Sequence, residues 1–229
     1  MGRRVSAARL PIARREIKDD PDISYLKTIK PRTEKQEIYL KAIDLVPIVF
    51  GIGAAGSGKT LLAAYKAAEY YDKSYINRVI LVRPAVASED LGYLPGDLQE
   101  KIDPYMKPLY DALRDRWGAR KLESMLNSGE VEVCPLAFLR GVTFHNAFII
   151  LDEAQNTTID QMRMFLTRFG DNIHCVITGD LDQSDLRVNN GLQWAATKLN
   201  KCTNVEIINF TKQDVVRSEL VKDILRFIE

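Results

Sequence analysis

Cysteine and histidine are scarce in this chain, with three of the first and two of the second among 229 residues. Cys134, Cys175 and Cys202 are widely spaced, odd in number and without a C-x-x-C pair, which excludes a disulfide framework and a dithiol redox motif. Each lies in or near an apolar run and reads as a small core residue in a reducing compartment. His145 and His174 have no second ligand at metal spacing, which excludes a zinc site built on them. No apolar run approaches the roughly 20 residues of a membrane span. The basic N-terminus is not followed by the apolar segment of a signal peptide, so a cytoplasmic protein without membrane contact is expected. A strong charge of one sign is also missing. The net charge is +1, but residues 1–18 carry Arg3, Arg4, Arg9, Arg14, Arg15 and Lys18 against Glu16 alone. Such an arm suits nucleic acid, an acidic neighbouring subunit, or simple solvation.

With 46% hydrophobic residues the chain can bury a substantial core. The expected organisation is a basic arm over residues 1–31, a disordered terminus being one reading of it, and a single domain over 32–229. Apolar runs at 47–50, 78–83, 147–152, 173–178 and 205–209 read as strands, with a shorter one at 130–134. Helical stretches separate them: Thr33 to Ile43 with Thr33 as cap, 61–68, 97–117 broken at Pro104 and Pro108, 158–169, 190–199 and 218–228. Trp117 and Trp194 read as packing residues. Alternation with short links predicts an α/β fold, a parallel sheet sandwiched by helices, with ligands at the carboxyl ends of the strands.

Residues 53–60 spell G-A-A-G-S-G-K-T between a predicted strand and a predicted helix. Strand, glycine turn and helix aim successive backbone N–H groups and a helix N-terminus at one anion, so this loop predicts nucleoside triphosphate binding. Gly53, Ala54, Ala55, Gly56, Ser57, Gly58, Lys59, Thr60 and Leu61 are the candidate binding residues. Lys59 would supply a point charge to the β- and γ-phosphates, and the Thr60 hydroxyl would hold Mg²⁺. The run 148–151 ends in Asp152 and Glu153. Asp152 suits the Mg²⁺ shell, and Glu153 stands where a carboxylate can polarise an attacking water, which points to hydrolysis rather than transfer to another acceptor. After the next strand, Asp180 and Gln183 can reach toward the γ-phosphate, with Gln183 as a sensor of its presence.

Seven stretches carry a resemblance to a known family: 53–60, 81–86 (LVRPAV), 91–98 (LGYLPGDL), 104–113 (PYMKPLYDAL), 135–141 (PLAFLRG), 151–158 (LDEAQNTT) and 178–180 (TGD). Together they resemble the PhoH family of ATPases over roughly residues 33–229. The resemblance implies a RecA-like P-loop NTPase similar to the first core domain of superfamily-one helicases. It also implies ATP hydrolysis, work on single-stranded RNA or DNA, and a homo-oligomeric ring, expected to be a hexamer. Ala54 stands where the family usually has Pro, and the compact form is similar to bacteriophage-encoded members. No nuclease or RNA-binding domain is expected after the core, so nuclease activity is not carried over from the resemblance.

Gln36 resembles the adenine-reading glutamine of helicases, the plain alternative being a solvated helix residue. Arg217 is similar to the late arginine that helicases place on the γ-phosphate. Only about 45 residues follow Gln183, too few for a second sheet domain, so Arg217 either folds back on its own site or, the favoured expectation, serves a neighbouring subunit's site. Helicase-like folds place nucleic acid at strand-end loops away from ATP, where the candidates are Arg83, Arg140 and Thr143, with Tyr93 and Phe138 able to stack on bases or to pack. The leading expectation is an oligomeric Mg²⁺-dependent ATPase coupled to single-stranded nucleic acid. Alternatives are a slow ATP-switched assembly or binding protein without helicase activity and, more remotely, a phosphotransferase.

Overall fold

Short segments rich in β-branched and other apolar residues give the chain its sheet. A computed structural model describes residues 29–84, 98–185 and 190–216. Its strands are β1 (Ile48–Gly53), β2 (Arg78–Arg83), β3 (Val131–Pro135), β4 (Ala147–Leu151), β5 (Ile173–Gly179) and β6 (Val205–Phe210). They form one sheet in the order β3-β2-β4-β5-β1-β6, and every pairing is parallel. The helices are α1 (Glu34–Leu45), α2 (Lys59–Asp72), α3 (Leu98–Trp117), α4 (Ala119–Ser128), α5 (Ile159–Leu166) and α6 (Gly191–Leu199). The loop-bearing strand β1 and the acidic strand β4 flank β5, so the phosphate loop and the acidic pair face each other across one strand. This is a RecA-like P-loop NTPase fold.

Strand alternation divides the core into two layers. Val79 and Leu81 of β2, Phe148 and Ile150 of β4 and Val176 of β5 face one side, where α1, α2, α3 and α4 cover them. Ile80, Val82, Ile149, Leu151, Cys175 and Ile177 face the other, under α5, α6 and the turn Leu136–Leu139. Ala63, Ala64, Ala67 and Ala68 are fully buried on α2 and let it lie close against the sheet. Thr33, Thr158 and Asn190 cap α1, α5 and α6, each side chain accepting a backbone N–H of the first turn.

Several expectations are corrected here. Pro104 and Pro108 do not break the helix, because α3 runs through both. Each proline removes one backbone bond, but buried Met106, Leu109, Ala112, Leu113 and Trp117 seat the helix on the core, and Trp117 Nε1 donates to Asp72 at the end of α2. Helix α4 was not expected, although Leu122 and Met125 face the core and Gly129 ends it in a left-handed conformation. Helix α5 stops at Leu166, short of Phe169. Cys175 is buried and Cys134 half-buried, but Cys202 is exposed, in the loop between α6 and β6. Trp117 is buried and Trp194 partly so, the latter under the Arg163 guanidinium. Residues 1–28 of the arm, Tyr93, Arg217 and the expected helix 218–228 lie outside the described residues.

Candidate active site

Strand β1 ends at Gly53 beside Phe210 of β6, so close that a Cβ on Gly53 would sit 1.9 Å from the Phe210 carbonyl oxygen. Gly53 also has φ +129, where only glycine is at ease. The loop then turns into α2 at Lys59. That side chain is nearly buried and folds back, Nζ donating to the Gly53 carbonyl at 2.6 Å, the Ala54 carbonyl at 2.9 Å and Ser57 Oγ at 3.1 Å. Burial lowers the Lys59 pKa, against the opposing pull of Asp180, Asp152 and Glu153. The Ala55 N–H donates to Asp180 Oδ2 at 3.0 Å. At its far end the chain returns to the same loop, where the Val216 N–H donates to the Gly56 carbonyl.

Asp152 is almost completely buried. Its Oδ1 accepts from the hydroxyls of Thr60 and Thr178, both at 2.7 Å. Glu153 follows with a left-handed backbone, φ 56 and ψ 36, a conformation that costs a non-glycine residue on the order of 1 kcal/mol. Its Oε1 lies 3.0 Å from the Arg83 guanidinium and its Oε2 accepts from Gln155 Nε2 at 2.5 Å. Arg83 also reaches Asp152 Oδ2 at 3.4 Å. Gln155 Oε1 in turn accepts the Asp180 N–H at 3.1 Å. These groups border a cleft of about 300 Å³ that Lys59, Thr60, Leu61, Asp152, Glu153 and Gln183 help to line, a volume within the range of small-ligand sites.

The structure therefore brings together Gly53 through Leu61, Asp152, Glu153, Asp180 and Gln183. Gln183 is exposed at the cleft rim, its N–H donating to the Asp180 carbonyl. Two expected roles meet different surroundings. Gln36 is buried with both ends of its amide engaged, Nε2 donating to the Ser57 carbonyl at 2.9 Å and Oε1 accepting the Arg32 N–H at 2.7 Å. It braces the loop from behind, and would have to release both bonds to read adenine. Arg83 does not stand on a surface away from the nucleotide. The register that pairs Val82 with Leu151 sets the next residue, Arg83, against the acidic pair. Arg140 and Thr143 are exposed on the turn beyond β3, apart from the cleft. Sequence reasoning assigned no role to Gln155 or Thr178, although both stand in the motifs that carry the family resemblance.

Among the described residues no three His, Cys, Asp or Glu side chains converge on a metal position. The contacting Thr60 hydroxyl and Asp152 carboxylate are hard oxygen donors at the cleft edge. That set fits Mg²⁺, which keeps several waters and takes its remaining ligands from phosphate oxygens. No described helix is long and apolar enough to cross a membrane.

The family model described as PhoH-like protein matches residues 28–229. A PhoH-like protein of Mycobacterium tuberculosis (strain ATCC 25618 / H37Rv) is 50% identical over 202 residues, covering 87% of this chain and 57% of the relative. One from Bacillus subtilis (strain 168) is 48% identical over 202 residues, covering 87% of this chain and 63% of the relative. The chain thus spans about 57–63% of the length of these curated relatives. Among solved structures, it is similar to the Sulfolobus solfataricus SWI2/SNF2 ATPase core in complex with dsDNA. That match has a TM-score of 0.48 and 14% identity, covering 82% of this chain and 46% of that one.

Proposed function

The chain belongs to the PhoH family, and from that premise we propose that it is a Mg²⁺-dependent ATPase that hydrolyses ATP to ADP and phosphate. The observation that carries this reading is the meeting of Thr60 at the start of α2 with Asp152 at the end of β4, 2.7 Å apart at the cleft edge, with Glu153 the next residue. The phosphates seat against the N–H groups of the loop and the first turn of α2. Lys59 exchanges its bonds to the Gly53 and Ala54 carbonyls for phosphate oxygens. Bound at Thr60 and Asp152, Mg²⁺ would neutralise phosphate charge and orient the terminal group. Glu153 accepts a proton from water as the water oxygen bonds to the γ-phosphorus and the bond to the β–γ bridging oxygen breaks. ADP takes up the released electron pair, and the proton passes on to phosphate or solvent.

The cycle is proposed to act on single-stranded nucleic acid, RNA or DNA, in a homo-oligomeric ring. Exposed Phe138, Arg140 and Thr143 on the turn beyond β3 support the first part, since an aromatic face with a nearby guanidinium suits stacked bases and phosphates. The ring follows from the family resemblance, with Arg217 reaching a neighbour's γ-phosphate. Mixing Arg217→Ala with Glu153→Gln subunits tests that contact, because activity returns only if one subunit completes the other's site. Hydrolysis itself is tested by phosphate release from protein of measured mass. Glu153→Gln lowers the rate by about 10²- to 10⁴-fold while ATP binding persists. A wild-type rate in that variant sinks the reading.

A further inference from the structure

Glu153 is gripped from the protein side on both oxygens. Arg83 holds Oε1 at 3.0 Å and Gln155 Nε2 holds Oε2 at 2.5 Å. Neither partner is a casual surface contact. The Arg83 side chain is 18% exposed and Gln155 is 1% exposed. The same two residues reach beyond Glu153 in different directions. Arg83 bridges to Asp152 Oδ2, and Gln155 Oε1 accepts the Asp180 N–H. Asp180 in turn accepts the Ala55 N–H of the phosphate loop. An unbroken line of bonds thus runs from the loop through Asp180 and Gln155 to Glu153, and through Arg83 to Asp152.

We propose that Arg83 and Gln155 are positioning residues for Glu153, a two-sided clamp that sets the direction of its carboxylate and ties that direction to the phosphate loop. A glutamate has three rotatable side-chain bonds, and here it projects from a left-handed backbone. Such a side chain samples several rotamers unless its partners select one, and a base acts only from the rotamer that aims its oxygen at the water. Arg83 suits one jaw because one nitrogen of its planar, rigid head reaches both Glu153 Oε1 and Asp152 Oδ2, and that head is less free to turn than a lysine ammonium. Gln155 suits the other because its amide donates at one end and accepts at the other. The clamp rests on the reading of Glu153 as the base of ATP hydrolysis.

The test compares steady-state phosphate release with binding of a fluorescent ATP analogue, on the full chain. Arg83→Ala and Gln155→Ala each lower kcat by about 10- to 100-fold, the range for residues that orient a reacting group. Arg83→Ala moves the nucleotide Kd by less than about threefold when binding is read without Mg²⁺, because the bonds it removes serve Asp152 of the Mg²⁺ site and Glu153, the base. Arg83→Lys keeps the charge without the fork and recovers part of the loss. The double variant loses less than the product of the single losses, because both jaws act through one carboxylate. Wild-type kcat in Arg83→Ala overturns the clamp, as does a multiplicative double variant. So does a kcat loss matched in Kd, which marks general damage to the site. If Arg83→Ala fails to fold by thermal denaturation, the Arg83→Lys and Gln155→Ala measurements decide. Glu153→Gln in the same assay separates the levels: normal hydrolysis there fails the parent reading, whereas a dead Glu153→Gln beside a normal Arg83→Ala fails the clamp alone.

Discussion

Two stretches at the carboxyl edge of the same sheet follow opposite plans. Where β1, β4 and β5 end, Lys59, Asp152, Glu153, Gln155 and Asp180 are each bonded within one network. Where β3 ends, Phe138 is 57% exposed, Val142 and Thr143 face solvent, and the Arg140 guanidinium forms no ion pair with a described residue. The first region must trade existing bonds for ligand, so its side chains are already fixed where chemistry needs them and substitution there is felt in rate. The second has no such bonds to trade and would have to order its side chains on contact, so under the proposed nucleic-acid role substitution there is felt in affinity.

The sharpest way to break the comparison uses one substitution in both places. Gly53 and Gly141 both have positive φ, +129 and +80. A Cβ on Gly53 would meet the Phe210 carbonyl oxygen at 1.9 Å, whereas one on Gly141 meets nothing within 4 Å. Gly141→Ala therefore costs only the backbone term, about 1–2 kcal/mol, or a fall of about 2–8 °C in Tm for a domain of this size. Gly53→Ala adds a clash with backbone that cannot rotate away, so β6 must leave β1 and the loop must change shape. Its expected outcome is a far larger drop in Tm with loss of nucleotide binding. Equal effects at the two sites, by thermal denaturation, would mean that Gly53 is not wedged against β6.

A second comparison concerns what each region binds. Arg140→Ala weakens binding of a single-stranded oligonucleotide and flattens the slope of log K against log salt by about 0.7, the share of one phosphate contact on a single strand. Phe138→Ala weakens the same binding with little change in that slope, by about 1–3 kcal/mol for each stacked base. Fluorescence anisotropy over a salt series reads both. An unchanged affinity in both variants removes this turn from the nucleic-acid path.

The parts of this architecture that local sequence specifies were legible. Apolar runs marked five strands and a short alternating segment the sixth, Thr33 marked the start of α1, and the spacing of Gly53, Gly58, Lys59 and Thr60 marked the loop. Asp152 and Glu153 followed from an apolar strand that ends in two carboxylates. Less legible was whatever depends on pairing between distant segments. The direction of Arg83 is set by the register of β2 against β4, which no window around residue 83 contains. Gln155 gains its meaning only when the end of β5 arrives with the Asp180 N–H. The prolines of α3 misled for a related reason, since the local rule counts lost backbone bonds while burial of one helix face offsets them. Even Gln36, correctly placed on a helix, was read without the Ser57 carbonyl that occupies it.

The smallest effect expected lies far from the cleft, in the first core layer. His174 packs against both Phe148, stacked at 6.2 Å, and Tyr70, edge-on at 4.6 Å, two rings that also touch each other, and its Nδ1 is buried and unpartnered among the described residues. Burial holds its pKa below the ordinary 6.5, against a weaker pull upward from Asp44. The folded protein therefore keeps this imidazole neutral at a pH where the unfolded chain has begun to charge it. The stability it contributes is fully present above pH 6.5 and drains as pH falls from there toward the folded value. Thermal midpoints measured between about pH 8 and about pH 5.5 should decline on the acid side. His174→Phe, which keeps a ring against Tyr70 and Phe148 but cannot titrate, should flatten part of that decline. An identical slope in the variant would move the acid sensitivity to other groups and leave His174 as packing alone.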